Sequence, residues 1–210
     1  MLLYYITDRK QFGDTETIRR TRLLEKISEA ARNDVNFIQL REKDLSSREL
    51  ESIARSAVGA VRRESRSGRT RLLINSRTDI AIACSADGVH LRSDDVSVGT
   101  VRHIWERAGI DKAPVIGVSC HTEAELRAAA SDGADFVAFA PVFGKAEIEA
   151  PGVGLDSLRA AARFGISVFA LGGVTLENAR GCIEAGAVGI AGISLFQNND
   201  IADVLRELHS

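Results

Sequence analysis

Eight short apolar runs, separated by helix-like segments from one end of the chain to the other, restrict the folds open to this sequence more than any other feature. They fall at residues 2–7, 35–40, 71–75, 88–91, 114–119, 136–140, 166–171 and 188–193. They are too short for buried helices and rich in Val, Ile, Leu and Phe. Continuous apolar runs of this kind mark strands covered on both faces, as in a parallel sheet flanked by helices. The intervening segments carry helix signals. Leu23, Leu24, Ile27, Ala30 and Ala31 share one helical face. Ser46-x-x-Glu49 and Thr122-x-x-Glu125 have capping-box spacing directly after a run. Gly133, Gly165 and Gly186 each sit between a helix and the next run, where a left-handed residue is wanted. The third unit is the weakest, with only 78–84 available as a short helix.

Eight strand–helix units in 210 residues average roughly 26 residues each, a compact form of the closed eight-stranded barrel of about 250 residues. The expectation is an α/β chain in which residues 1–210 form a single-domain TIM (β/α)8 barrel. An open doubly wound sheet competes, but it normally uses about five or six strands, and no G-x-G-x-x-G follows the first run. In a barrel, binding and catalytic groups belong at the C-terminal ends of the strands.

Composition narrows the function classes. With 45% hydrophobic and 27% charged residues the chain is globular in character. A net charge of -2, from 27 basic and 29 acidic residues, points to neither nucleic acid nor a membrane surface as the main partner. It leaves a small anionic ligand open. No run approaches the roughly 18–20 residues that span a bilayer, and residues 1–8 do not read as a signal peptide. Cys84, Cys120 and Cys182 are odd in number and lack C-x-x-C spacing, which reads as reduced, buried thiols in a cytoplasmic protein.

The run ends carry the polar residues. Gln39, Arg41 and Lys43 alternate, so on a strand all three point into the barrel mouth. An inward Arg and Lys either pair with Asp8, Glu42 or Asp95, or await an anion. Asn75 and Ser119 converge on the same place. Gly172-Gly173 and Gly192-Ile193-Ser194 follow the seventh and eighth runs, where barrels often cradle phosphate on backbone N–H groups; two ordinary tight turns are the plain alternative. Asp95 could ligate a hard cation such as Mg2+, although an acidic pair after a strand is usually just solvated. His90 reads as a core histidine, and His121 as unpaired with its neighbour Cys120. The arginine-rich stretch 62–71 reads as a solvated loop remote from the mouth.

Taken in order, Tyr5-Ile6-Thr7-Asp8, Gln39-Leu40-Arg41-Glu42-Lys43, Ile74-Asn75, Ala86-Asp87-Gly88-Val89-His90-Leu91, Gly117-Val118-Ser119-Cys120-His121-Thr122, Pro141-Val142-Phe143 and Leu171-Gly172-Gly173-Val174 resemble the thiamine-phosphate synthase family and its sister thiazole tautomerases. The resemblance runs the length of the chain and lies closer to the synthases. It implies a transferase that joins hydroxymethylpyrimidine pyrophosphate to thiazole phosphate by a dissociative, Mg2+-assisted displacement. It implies that Gln39, Arg41, Lys43 and Asn75 hold the pyrimidine pyrophosphate and that Ser119, also substrate-binding, hydrogen-bonds in the site. Gly173, Gly192, Ile193 and Ser194 would hold the thiazole phosphate. Asp95 and position 76 would bind one Mg2+, and Arg41, Lys43, Ser119 and Lys145 would act in catalysis. The chain departs from the synthase pattern in three places. Ser76 stands where a second metal-binding Asp is expected, the loop 144–151 is short and lacks threonine, and Ala140 replaces a glycine. A thiazole tautomerase and an inactive phosphate-binding homologue are the alternatives. Its catalytic histidine would follow the sixth strand in a tautomerase, and Pro141 stands there. A homo-oligomer is compatible with the sequence.

Overall fold

The computed structural model describes residues 1–144 and 151–209, the last by its backbone alone. Eight strands form a closed barrel in sequence order: β1 (Leu2–Ile6), β2 (Phe37–Leu40), β3 (Arg71–Asn75), β4 (Gly88–Leu91), β5 (Val115–Cys120), β6 (Phe136–Phe139), β7 (Ser167–Ala170) and β8 (Gly189–Gly192). Every neighbouring pair is parallel, and β1 closes on β8 with Tyr5 opposite Gly192. The helices are α1 (Glu16–Arg32), α2 (Ser47–Glu64), α3 (Thr78–Ala83), α4 (Val98–Arg107), α5 (Glu123–Ser131), α6 (Gly154–Ala161), α7 (Leu176–Glu184), α8 (Ser194–Gln197) and α9 (Ile201–His209). All eight strands coincide with the apolar runs, and the barrel is the expected one.

Local chemistry accounts for the helix ends. Ser46 and Thr122 cap α2 and α5 through reciprocal bonds with Glu49 and Glu125, satisfying N–H groups that the first turn leaves without partners. Gly133, Gly165 and Gly186 all take positive φ where the chain turns into the next strand. On α2, Leu50, Ile53, Ala54, Ala57, Val58 and Val61 repeat at helical spacing and bury one stripe against the sheet.

Two apolar layers result. One lies between strands and helices; the other fills the barrel axis with Tyr4, Ile6, Leu73, Phe136, Phe169 and Ala191. The rings of Tyr4 and Phe136 meet edge to face at 5.3 Å between centroids, and Phe136 lies 5.1 Å from Phe169. A side chain at Gly117 would place its Cβ 2.4 Å from the Phe136 ring and 2.8 Å from His90 Nδ1, so glycine makes room for both. This plug fills the barrel axis beneath the C-terminal mouth, where Ile6 also lines a cavity.

Some details differ from the sequence reading. A 3-10 turn, Arg9–Phe12, follows β1, and the last strand is followed by two helices. Arg62 and Arg63 belong to the last turn of α2 and Arg71 opens β3, so the basic stretch is only partly a loop. It is also anchored: Arg62 donates to the Ser85 carbonyl. Cys84, Cys120 and Cys182 are buried and in no disulfide.

Candidate active site

The pleat sorts the strand ends. Successive residues of a strand point to opposite faces, and one parity points inward on every strand of the barrel. Ile6, Gln39, Asn75, Ser119, Leu171 and Ile193 form the uppermost inward layer, and Arg41, Lys43, Arg92 and His121 continue the same parity above it. Together with Ser93 and Asp94 these residues line one cavity of about 560 Å3 at the mouth. Gln39, Arg41, Lys43, Asn75 and Ser119 are therefore brought together as the sequence suggested. Arg92 and His121 are additions. Their signal was available in their spacing from His90 and Ser119, but both lie beyond the ends of the apolar runs.

Hydrogen bonds fix the floor of the cavity. Gln39 Nε2 donates to Asn75 Oδ1 at 2.8 Å, and Asn75 Nδ2 donates to Ser76 Oγ. Ser119 Oγ lies 2.8 Å from His90 Nε2, and His90 Nδ1 lies 2.9 Å from the Tyr4 hydroxyl. Burial, and then the nearby Arg41 charge, push His90 down to about 3, so the ring is neutral at ordinary pH. His90 is a core histidine, as read, but its outer nitrogen touches a site residue.

Arg41 and Lys43 have no side-chain partner among the described residues. Each internal ion pair weighed from the sequence is otherwise engaged. Glu42, of opposite parity, points away from the mouth and accepts from Thr7 Oγ1, the Arg9 amide and Arg9 Nη1. Asp95 accepts from Ser76 Oγ at 2.6 Å and from the Arg92 amide at 2.8 Å. Asp8 accepts from Gln11. The Arg41 guanidinium, then burial and Arg92, hold Lys43 below the usual lysine value. That is the electrostatic mark of like charges clustered at the mouth. Arg92 itself is paired through Nε and Nη2 with Asp94 at the surface.

His121 and Cys120 do not act together. Cys120 is buried in the strand–helix layer, where burial pushes its thiol up to about 12, while His121 Nδ1 lies 2.8 Å from the Ala140 carbonyl at the rim.

Asp95 and Ser76 lie beside the mouth rather than in it. They line a side pocket of about 300 Å3 that joins the mouth at Lys43, Asn75 and Arg92. No cluster of three or more His, Cys, Asp or Glu suited to a metal occurs among the described residues. One carboxylate is still compatible with Mg2+, which commonly takes one or two protein carboxylates and completes its shell with substrate phosphates and water. Among the described residues both hydrogen bonds to Asp95 fall on Oδ2, which leaves Oδ1 to face such an ion.

A second cavity of about 300 Å3 opens between the ends of β7 and β8, lined by Gly172, Gly173, Thr175, Gly192, Ile193 and Ser194 among others. Gly172 and Gly173 both have positive φ, 90° and 64°. A Cβ at Gly173 would lie 2.8 Å from Phe143 Cβ, so both conformation and space ask for glycine there. Leu171 and Ile193 line both cavities and form the sill between them. Lys145 lies outside the described residues.

A family model described as thiamine monophosphate synthase matches residues 3–196. The chain belongs to this family. It is 41% identical over 196 residues to a putative thiamine-phosphate synthase of Geobacter sulfurreducens, covering 91% of this chain and 84% of that protein. It is 37% identical over 196 residues to putative thiamine-phosphate synthase 2 of Aquifex aeolicus, covering 92% and 96%. Among solved structures, thiamine phosphate pyrophosphorylase from Pyrococcus furiosus superposes with a TM-score of 0.79 at 28% identity, covering 99% of this chain and 93% of that one. Family membership thus extends over the whole barrel and includes every strand that supplies the mouth.

Proposed function

We propose that this chain is a thiamine-phosphate synthase, a transferase that condenses hydroxymethylpyrimidine pyrophosphate with thiazole phosphate to give thiamine phosphate and pyrophosphate. The observation that carries the reading is the pair of cations Arg41 and Lys43, without a side-chain partner among the described residues, set above Gln39, Asn75 and Ser119 and joined over the Leu171–Ile193 sill to a glycine-lined cavity. Two adjoining sites, one cationic and one lined by glycines that let backbone come close to a ligand, suit one diphosphate and one phosphate ester.

In this reading Gln39, Asn75 and Ser119 orient the pyrimidine pyrophosphate. Arg41 and Lys43 take up negative charge as the C–O bond breaks and the diphosphate leaves with the electron pair. The resulting pyrimidine cation is captured by the thiazole nitrogen, which forms the new C–N bond. Gly173, Gly192, Ile193 and Ser194 hold the thiazole phosphate so that its ring faces the breaking bond. Holding two reactants in line and supplying preorganised positive charge are the two largest contributions a protein can make to such a step. Asp95, with Ser76, would hold one Mg2+, weakened by the loss of a second carboxylate. When bound, that ion screens the diphosphate and acts as a Lewis acid on its oxygens. Lys145 is a further candidate cation for the leaving group. Cytoplasmic action fits the three buried cysteines, and no described helix is long and apolar enough to cross a membrane.

The test is to supply purified protein with both substrates, with Mg2+ and with EDTA, and to follow thiamine phosphate. Product that requires Mg2+, and is abolished by Asp95→Ala, is expected. Folded protein that binds thiazole phosphate and forms no product would refute the assignment.

A further inference from the structure

A buried polar chain runs from the barrel axis to the mouth: Tyr4 hydroxyl, His90 ring, Ser119 hydroxyl. The first contact is 2.9 Å and the second 2.8 Å. Tyr4 is fully buried and ringed by Phe37, Phe136 and Phe169, and His90 Nδ1 is the sole hydrogen-bond partner of its hydroxyl among the described residues. The hydroxyl carries one hydrogen, which must be donated or left orphaned in an aromatic cage. Were the His90 proton on Nδ1, the ring would donate to Tyr4 and the tyrosine hydrogen would have no acceptor. With the proton on Nε2, Tyr4 donates to Nδ1, Nε2 donates to Ser119, and both inner groups are satisfied. The ring is neutral at ordinary pH, so protonation of both nitrogens does not intervene.

We propose that Tyr4 locks His90 in the Nε2–H tautomer, so that Ser119 accepts from the ring and offers its own hydrogen to an acceptor atom of the diphosphate substrate. Tyr4 and His90 are then positioning residues, acting on the substrate only through Ser119. A serine hydroxyl free to rotate can donate or accept; one already accepting from a fixed N–H keeps its hydrogen for the mouth. Arg41, Lys43 and Arg92, which line this cavity from β2 and the end of β4, are also donors, and the one carboxylate named in the same lining, Asp94, is held by Arg92. Ser119, Arg41 and Lys43 together offer donors to an acceptor-rich ligand. The inference rests on the reading of Ser119 as a substrate contact.

Nitrogen-15 NMR of histidine-labelled, ligand-free protein reads the tautomer directly. The expected spectrum has His90 protonated on Nε2 and bare on Nδ1, unchanged from about pH 8 to about pH 5; a proton on Nδ1 overturns the proposal. In Tyr4→Phe the ring loses its inner donor, both tautomers become comparable, and Ser119 regains its freedom to turn. This variant is expected to show mixed tautomers and a kcat lowered about three- to tenfold, the range of one hydrogen bond, with KM for thiazole phosphate unchanged. A merely structural role would lower the melting temperature and leave kcat per folded molecule alone, and a folded Tyr4→Phe with a single Nε2–H tautomer and full kcat overturns the relay. Inorganic pyrophosphate separates this from the synthase reading because it needs no turnover. Once bound, it should shift the His90 Nε2 resonance in the wild type and not in Ser119→Ala; bound pyrophosphate without that shift overturns the coupling.

Discussion

Arg9→Met tests whether the outward half of the β2 end is held by a buried charge pair. Arg9 is 3% exposed and Glu42 is 5% exposed. The guanidinium reaches Glu42 at 3.2 Å, Asp44 at 2.7 Å and Glu16 at 3.0 Å. Its removal deprives Glu42 of its one counter-charge among the described residues, but leaves Thr7 Oγ1 and the residue-9 amide as neutral donors. Breaking a buried pair costs about 3–5 kcal/mol, and the two remaining donors place this case near the lower end. The lost pairs with Asp44 and Glu16, whose side chains are about two-fifths exposed, add at most about 1 kcal/mol each. The expected loss is about 3–5 kcal/mol, a fall in Tm of roughly 6–20 °C for a chain of this size.

The pH dependence carries the finer test. Burial outweighs Thr7 and Arg9 and holds the Glu42 carboxyl above its ordinary value. A raised carboxyl contributes stability that is fully present below its unfolded value of about 4.3, and loses it as pH rises through the folded value. Without Arg9 the folded value rises further, so protonation relieves more of the damage. The difference between wild type and Arg9→Met should therefore be larger at about pH 7.5 than at about pH 5. Asp44 and Glu16, both held below their ordinary values by Arg9, stay ionised across that window and do not contribute to the slope. Urea unfolding at the two pH values measures this. A loss below about 1 kcal/mol, or one that is equal at both, would refute the buried-pair account.

Arg41→Ala should lower kcat/KM about 10- to 150-fold, the worth of a charge-assisted bond to the diphosphate. Ligand-free thermal stability should stay the same or rise, since Lys43 loses its principal repulsive neighbour. Ser76→Asp adds a carboxylate beside Asp95 at a residue with φ of 59°, which Asp tolerates well; the Mg2+ concentration for half-maximal rate should fall about tenfold, and an unchanged requirement would place the ion elsewhere. Gly173→Ala, at φ of 64° and against Phe143, should cost about 1–2 kcal/mol and raise KM for thiazole phosphate more than KM for the pyrimidine substrate, as steady-state kinetics would report.

The barrel was legible because each strand is a continuous apolar run and each helix end has its own local chemistry, as Ser46 with Glu49 and the glycines before β6, β7 and β8 show. The Gln39, Arg41 and Lys43 row was legible because the pleat alone fixes which residues share a face. Arg92 was not, because the apolar run stops at Leu91 while the strand's parity continues into the loop. Arg9 was hidden for a different reason: an arginine after a strand reads as solvated, and only the fold brings Glu16, Glu42 and Asp44 around it. Tyr4 and His90 are 86 residues apart, and no local pattern announces their contact. Glu42 was weighed as a partner for the inward cations, yet its parity already excluded it.

Residues 38–43 divide two tasks between odd and even positions of a single stretch of backbone. Ile38, Leu40 and Glu42 face the helices; Gln39, Arg41 and Lys43 face the mouth. A saturation scan across these six codons would give a comb. Even teeth would deplete soluble protein, and odd teeth would deplete growth without thiamine while the protein still accumulates. Insertion or deletion of one codon here exchanges the two sets at once, placing charge under α1 and α2 and grease in the mouth. Length variation in relatives must therefore be absorbed in the connections, leaving the strand ends at constant length even where their side chains diverge.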